Sequence, residues 1–549
     1  MKRLLFLLMA LICTFPLRAQ ENDRNKTKLV VGIVVDQMRY DYLTRFWDRY
    51  GDEGFKRLVN EGYNFKNNHF NYVPTYTAPG HASVHTGTGP ANHGIIGNNW
   101  YNKFEDELVY CTGDESVEPI GTNSNAGKMS PHRMKVTTIA DQNRLHTQMR
   151  GKTIGVSIKD RGSILPAGHT ANAAYWFLGG DEGKFITSSF YMEELPKWVK
   201  DFNNSNAAES YFKTWNTLYP VGSYIESGID VNNFEYGFKG KADASFPYDL
   251  AALRNDNSGF DLITQTPFGN DLTLDFALAA IKAEELGQDE DTDFLALSFS
   301  STDKVGHNFG VNSKEIEDTY LRLDKNIATL LQYLDENIGK EAYTVFLTAD
   351  HGGGDVSAYL ESVKIPAGYF NSEDFIENLH TYVIGEFGET NLISEIYNDQ
   401  VFFNYEALYD AEINADELED KIAQYILKQD QIDRVYTRSQ LENGSYTREM
   451  GAAIQQGFNQ KRSGDVVYVL DPAVVSYSKK GSMHGSGFTY DTHAPLIFFG
   501  NGVQHGSTTE RSEIVDIAPT VSALLGISLP NAATGKPLYM MLDRKELSE

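Results

Sequence analysis

The hydrophobic positions of this chain gather in short, nearly continuous runs that stop abruptly at polar clusters. Lys28 to Val35 is largely β-branched and ends at Asp36. Thr153 to Ile158 runs into Lys159-Asp160-Arg161, and Asp293 to Ser300 into Ser301-Thr302-Asp303-Lys304-Val305-Gly306-His307. Ala342 to Thr348 leads to Asp350-His351 and three glycines. Such runs read as strands buried on both faces, the pattern of a parallel sheet covered by helices. Helical periodicity is expected over Tyr42 to Glu61, Leu272 to Leu286 and Ser313 to Asn337. A further strand, Ala494 to Phe499, and a helix ending at Leu525 close the chain. The fold class is α/β, a doubly wound, mostly parallel sheet flanked by helices. Ligand sites in such sheets lie at the carboxyl ends of the strands, where the polar clusters fall.

Two stretches depart from this rhythm. About 173–269 is rich in aromatics, Asn, Ser and Gly, and reads as an insertion over the core. About 359–481 contains strand-like Val401 to Tyr405, a helix from Ala415 to Lys428 and strand-like Asp465 to Leu470, the pattern of a small α+β insertion.

The first residues change the picture of where the protein works. Lys2 and Arg3, an apolar run from Leu4 to Phe15, and Leu17-Arg18-Ala19 make a secretory signal peptide over 1–19. The catalytic domain is then 20–549 and the protein is exported, to the periplasm foremost, with secretion or the cell surface as alternatives. No later segment has the ~20 apolar residues of a membrane-spanning helix. Cys111 is the only cysteine after residue 19, so no internal disulfide is possible. Losing Lys2, Arg3 and Arg18 takes the formal net charge from −27 to −30. So acidic a surface disfavours nucleic acid and anionic membranes, and phosphate chemistry on it needs local cations.

Those cations have candidate ligands. Asp36, Asp303, His307, Asp350, His351 and His484 stand at strand ends or in glycine-rich loops, and mixed imidazole and carboxylate sets suit zinc. Asp303 and His307 have i, i+4 spacing, but Gly306 between them favours a shaped loop over a helix. Thr77 lies in Pro-Thr-Tyr-Thr-Ala-Pro-Gly-His-Ala, Pro74 to Ala82, and is expected at the mouth of a short helix. It is either an N-cap or a nucleophile beside a positive helix end. His81 and His85 are candidates for orienting the site. His69, His93, His169 and His493 read as structural, and Tyr175 and Trp176 as packing groups.

Taken together, Asp36, Thr77-Ala-Pro-Gly-His81, Asp303-x-x-x-His307, Asp350-His351 and His484 resemble the alkaline phosphatase superfamily, and most of all its phosphate-irrepressible (PafA-like) bacterial branch. The resemblance implies two Zn2+ ions, one on Asp36, Asp350 and His351 with the Thr77 oxygen, the other on Asp303, His307 and His484. It also implies that Asn98, Lys159 and Arg161 grip the non-reacting phosphoryl oxygens. The implied reaction is hydrolysis of small phosphate monoesters through a covalent phosphothreonine, by a monomer. Sulfatases carry Cys or Ser followed by x-Pro-x-Arg, whereas here the pattern is Thr77-x-Pro79-x-His81. Nucleotide pyrophosphatases and phosphodiesterases share the Thr, the Asn and the two ions and are the main alternative. Lys159 and Arg161 argue for monoesters, because a dianion presents more charge than a diester. A non-catalytic zinc-binding protein on the same scaffold is the alternative from another class.

Overall fold

Strand β1 (Leu29–Val35) is buried at every position and lies at the centre of a ten-stranded sheet. The computed structural model describes residues 26–476 and 479–543; the expected signal peptide lies outside them. In chain order the other strands of the sheet are β2 (Tyr63–Phe65), β3 (Pro119–Ile120), β4 (Thr153–Ser157), β5 (Ala173–Leu178), β6 (Lys184–Ser188), β7 (Asp293–Phe299), β8 (Tyr343–Thr348), β9 (Leu496–Gly500) and β10 (Gly506–Thr508). Their spatial order is β10-β2-β9-β8-β1-β7-β4-β5-β6-β3. The five central strands, β8 to β5, run parallel. Beyond them β9 and β6 pair antiparallel, so the sheet is mixed at its edges, as is common in large α/β folds. Every residue of β4, β7 and β8 is buried as well, which requires cover on both faces and explains why these runs show no polar alternation.

The helices divide into one long element and several short ones. Helix Lys314–Asn337 starts at Ser313, whose hydroxyl accepts from the Ile316 N–H as an N-cap. The stretch expected to be helical from Tyr42 to Glu61 is broken into Asp41–Arg45, a short 3-10 turn at Trp47–Arg49, and Phe55–Glu61. Asp324 fixes the break, since its carboxylate accepts from the N–H groups of Gly51 (2.7 Å) and Phe55 (2.8 Å).

The region about 173–269 begins with β5 and β6, which are part of the main sheet, and its buried residues Trp215, Tyr248 and Leu262 join the main core. The region about 359–481 carries a separate sheet in the order Ile393–Tyr397, Gln400–Phe403, Val466–Leu470, Ile432–Thr437. It has a core of its own around Leu379, Val401, Leu418 and Ile422.

A pair of acids where the first of these regions meets the helix Lys314–Asn337 has a measurable consequence. Glu235 and Glu315 are 4% and 0% exposed, and each has one carboxyl oxygen without a hydrogen-bond partner. Tyr248 donates to Glu315 Oε1 (2.6 Å) and Asn232 to Glu235 Oε1 (2.6 Å). Burial, and for Glu235 the neighbouring Glu315 charge, pushes Glu235 up to about 9 and Glu315 up to about 8. Between the ordinary carboxylate range and those values the native state holds more protons than the unfolded one, so stability falls as pH rises through that window. Glu315→Gln keeps the acceptor for Tyr248 and removes the titration. It should flatten the loss of unfolding midpoint between about pH 5.5 and about pH 8.5; denaturant titrations at the two values test this, and an unchanged slope would contradict it.

Candidate active site

The register of the central strands aligns their carboxyl ends in one row. Val35 stands opposite Phe299, Val34 opposite Thr348, and Ser298 opposite Ser157. The residues that follow therefore meet: Asp36 after β1, Lys159 after β4, Asp303 after β7, and Asp350 and His351 after β8. Helix α1 (Thr77–Thr86) sets its first residue against this row. Its Gly80 is needed there, because a Cβ would lie 2.1 Å from the Asp350 carbonyl oxygen.

Two groups of ligand atoms form, each with all its members within 4.8 Å of one another: Asp36, Asp350 and His351, and Asp303, His351 and His484. His307, expected in the second group, approaches from one side, with Nε2 at 3.1 Å from Asp303 Oδ1. His351 Nε2 faces both groups. The three imidazoles are oriented alike by the backbone. Nδ1 lies 2.9 Å from Gly352 O in His351, 2.8 Å from Ser482 O in His307 and 2.8 Å from Thr75 O in His484. With Nδ1–H donating to these carbonyls, every Nε2 is turned to the carboxylates, the arrangement in which imidazole binds metal. The His351 and His484 rings stack 3.5 Å apart. Burial lowers both pKa values, that of His484 far below its ordinary range with His351 beside it, which favours the neutral form that ligates metal.

The carboxylates present the opposite problem. Burial and the Asp350 charge drive the Asp36 pKa well up, and Lys159 only partly offsets them. Neither Asp36 oxygen accepts a well-directed hydrogen bond, although Lys159 Nζ stands 2.7 Å from Oδ2. Burial acts on Asp303 too, but His307 and Lys159 outweigh it and hold that carboxyl well below the usual range. Asp350 is likewise held low against burial by His351 and His81. Both Asp36 oxygens and Asp350 Oδ2 are buried without a hydrogen-bond partner; such acids beside imidazoles fit divalent cations, which would supply the missing positive charge.

Thr77 is 1% exposed, and its Oγ1 lies 3.4 Å from His351 Nε2. It is the first residue of α1, not the cap: the N-cap position is Tyr76, and no side chain caps this helix. Asn98 Oδ1 accepts from the Ala78 N–H (2.9 Å), which leaves its Nδ2 as the donor end. Lys159 Nζ bridges Asp36 Oδ2 and Asp303 Oδ2 at 2.7 and 2.6 Å. Burial would depress this ammonium's pKa, but those two charges raise it. Arg161 Nη1 contacts the Tyr110 hydroxyl (3.1 Å), and its buried Nε has no partner.

The loop expected between Asp303 and His307 is a helix, α2 (Ser301–Phe309). Gly306 serves close approach there, since a Cβ would sit 1.9 Å from Gln37 Oε1. Gln37 itself carried no sequence signal beyond following Asp36. It has a positive φ of 61°, its Nε2 donates to Asp303 Oδ1 (2.8 Å) and its N–H to Asp350 Oδ1 (3.1 Å). It thereby ties the two ligand groups together. His81 contacts Thr77 O and Ser298 Oγ, each at 3.0 Å, and Asp350 Oδ2 at 3.2 Å. His85 is packed against Phe294 and Phe346 in the core. Tyr175 packs on Trp198 and Phe276, and Trp176 donates to Ala126 O.

Residues 30–494 match the family model described as type I phosphodiesterase / nucleotide pyrophosphatase. The chain is 44% identical over 544 residues to the alkaline phosphatase PafA of Elizabethkingia meningoseptica, covering 98% of this chain and 99% of that one. It is 45% identical over 541 residues to a Myroides odoratus protein named calcium-transporting ATPase, covering 97% and 98%. In this chain, no helix among the described residues is long and apolar enough to cross a membrane. A crystal structure of wild-type alkaline phosphatase PafA superposes with a TM-score of 0.91 at 44% identity, covering 94% of this chain and 99% of that one.

Proposed function

The chain belongs to the type I phosphodiesterase / nucleotide pyrophosphatase family, and within it to the PafA-like bacterial alkaline phosphatases; on that premise we propose that Thr77 is the nucleophile of a two-zinc phosphomonoesterase. The observation that carries this is the meeting of a buried hydroxyl with two groups of carboxylates and neutral imidazoles at one row of strand ends. Asp36, Asp350 and His351 would hold one zinc, with Thr77 beside it, and Asp303, His307 and His484 would hold the other. When bound, the ions supply positive charge that stabilises oxyanions at the attacking and leaving positions.

The chain's own groups do the rest. Thr77 Oγ1 bonds to phosphorus while the ester P–O bond breaks, and the hydroxyl's proton ends on the leaving oxygen, which departs as the alcohol. Water then attacks the phosphothreonine, which releases inorganic phosphate and restores the hydroxyl. Asn98 Nδ2, Lys159 and Arg161 donate to the equatorial phosphoryl oxygens and stabilise the charge gathered there. His81 holds Asp350 and the first turn of α1 in place. The enzyme works after export, in the periplasm.

The test is a rate comparison on the zinc-restored enzyme between an aryl phosphate and its methyl diester. The monoester should have the higher kcat/KM by at least about tenfold. A higher efficiency on the diester would make this a phosphodiesterase.

A further inference from the structure

The small α+β region and the catalytic core enclose a cavity of about 370 Å³, within the range of a small-molecule site. His484 forms part of its wall, so the cavity abuts the candidate active site. Its charge is one-sided. Asp355, Asp399, Asp471 and Asp491 line it, and among the described residues no Lys or Arg does. Asp355 is answered from outside the cavity by Arg39 Nη1 at 3.3 Å. Asp491 is not. It is 1% exposed, its Oδ2 accepts from the Ser486 N–H and hydroxyl (2.8 and 2.6 Å), and its Oδ1 has no hydrogen-bond partner. Burial pushes Asp399 up to about 6 and Asp491 up to about 7, with the Tyr468 hydroxyl and the Arg39 charge respectively offsetting it only in part.

The remaining wall is mostly aliphatic and small residues, with aromatic rings set among them, Tyr76 on the core side and Tyr397 and Tyr468 on the other. A bare metal ion does not suit this space. It needs several oxygens within ~2.6 Å, and among the described residues three or more metal-type donors converge only at the catalytic groups. A diffuse organic cation does suit it, since carboxylates answer its charge and ring faces attract its alkyl-ammonium surface.

We propose that this cavity binds a small organic ammonium ion, with the charge toward Asp491 and Asp399 and the alkyl body against Tyr76, Tyr397 and Tyr468. The proposal does not depend on the phosphatase assignment, because binding is read without turnover.

Isothermal titration of the metal-loaded full chain with choline, and with its neutral isostere 3,3-dimethylbutan-1-ol, tests it. Choline should bind saturably at one site, and the isostere at least about tenfold more weakly. Asp491→Asn, which keeps an acceptor for Ser486, and Asp399→Asn should each weaken choline by about tenfold and leave phosphomonoester turnover unchanged. Absence of saturable binding would overturn the proposal. So would equal binding of the isostere, or choline affinity unchanged in both variants.

Discussion

Thr77→Ala should lower phosphomonoester turnover by at least about a thousandfold, because the proposed reaction has no other covalent acceptor. The fold should survive the change. Thr77 makes no capping bond, and its Oγ1 meets only His351 Nε2 at 3.4 Å, so truncation leaves no strongly bonded partner stranded. Metal content and far-UV circular dichroism should match the parent protein. Thr77→Ser, which restores the hydroxyl, should recover much of the rate and should form an acid-stable phosphoserine on brief mixing with substrate. Near-parental turnover by a fully metallated Thr77→Ala variant would remove Thr77 from the mechanism.

Replacing both Lys159 and Arg161 by alanine should lower kcat/KM for a monoester by about 100-fold or more, and for the matched diester by distinctly less. A dianion offers these cations more charge than a diester does. Among the described residues Lys159 is also the one Lys or Arg within salt-bridge distance of Asp36 and Asp303, at 2.7 and 2.6 Å, so the double variant places more weight on bound metal. Zinc must therefore be saturating in the assay. Equal losses on the two substrates would mean that the cations serve the metal cluster and not the choice of ester.

The strands and the candidate ligands at their ends were legible for one reason: a strand buried on both faces leaves polar residues only where it ends. Asp36, Lys159 and Asp350 could thus be placed at the carboxyl ends of strands from composition alone, and the parallel register puts those ends level. What stayed hidden depends on contacts between distant segments. Gly306 signals flexibility in the sequence, but in the fold it makes room for Gln37 within a helix. Gln37 bonds residues some 270 and 310 positions away, by |i−j| of 266 and 313, and nothing local marks it. The break in the expected helix from Tyr42 to Glu61 is set by Asp324, again a remote partner. Strands β5 and β6 fall in a stretch whose composition resembles an insertion, yet their edges pair with β4 and with each other.

The central claim is that two divalent ions sit before the Thr77 oxygen. Anomalous diffraction at the zinc edge, on crystals of the zinc-loaded protein, measures this directly. Two peaks are predicted, one among Asp36, Asp350 and His351, the other among Asp303, His307 and His484, both on the Thr77 side of the sheet. A single peak, or peaks away from these side chains, would contradict the account.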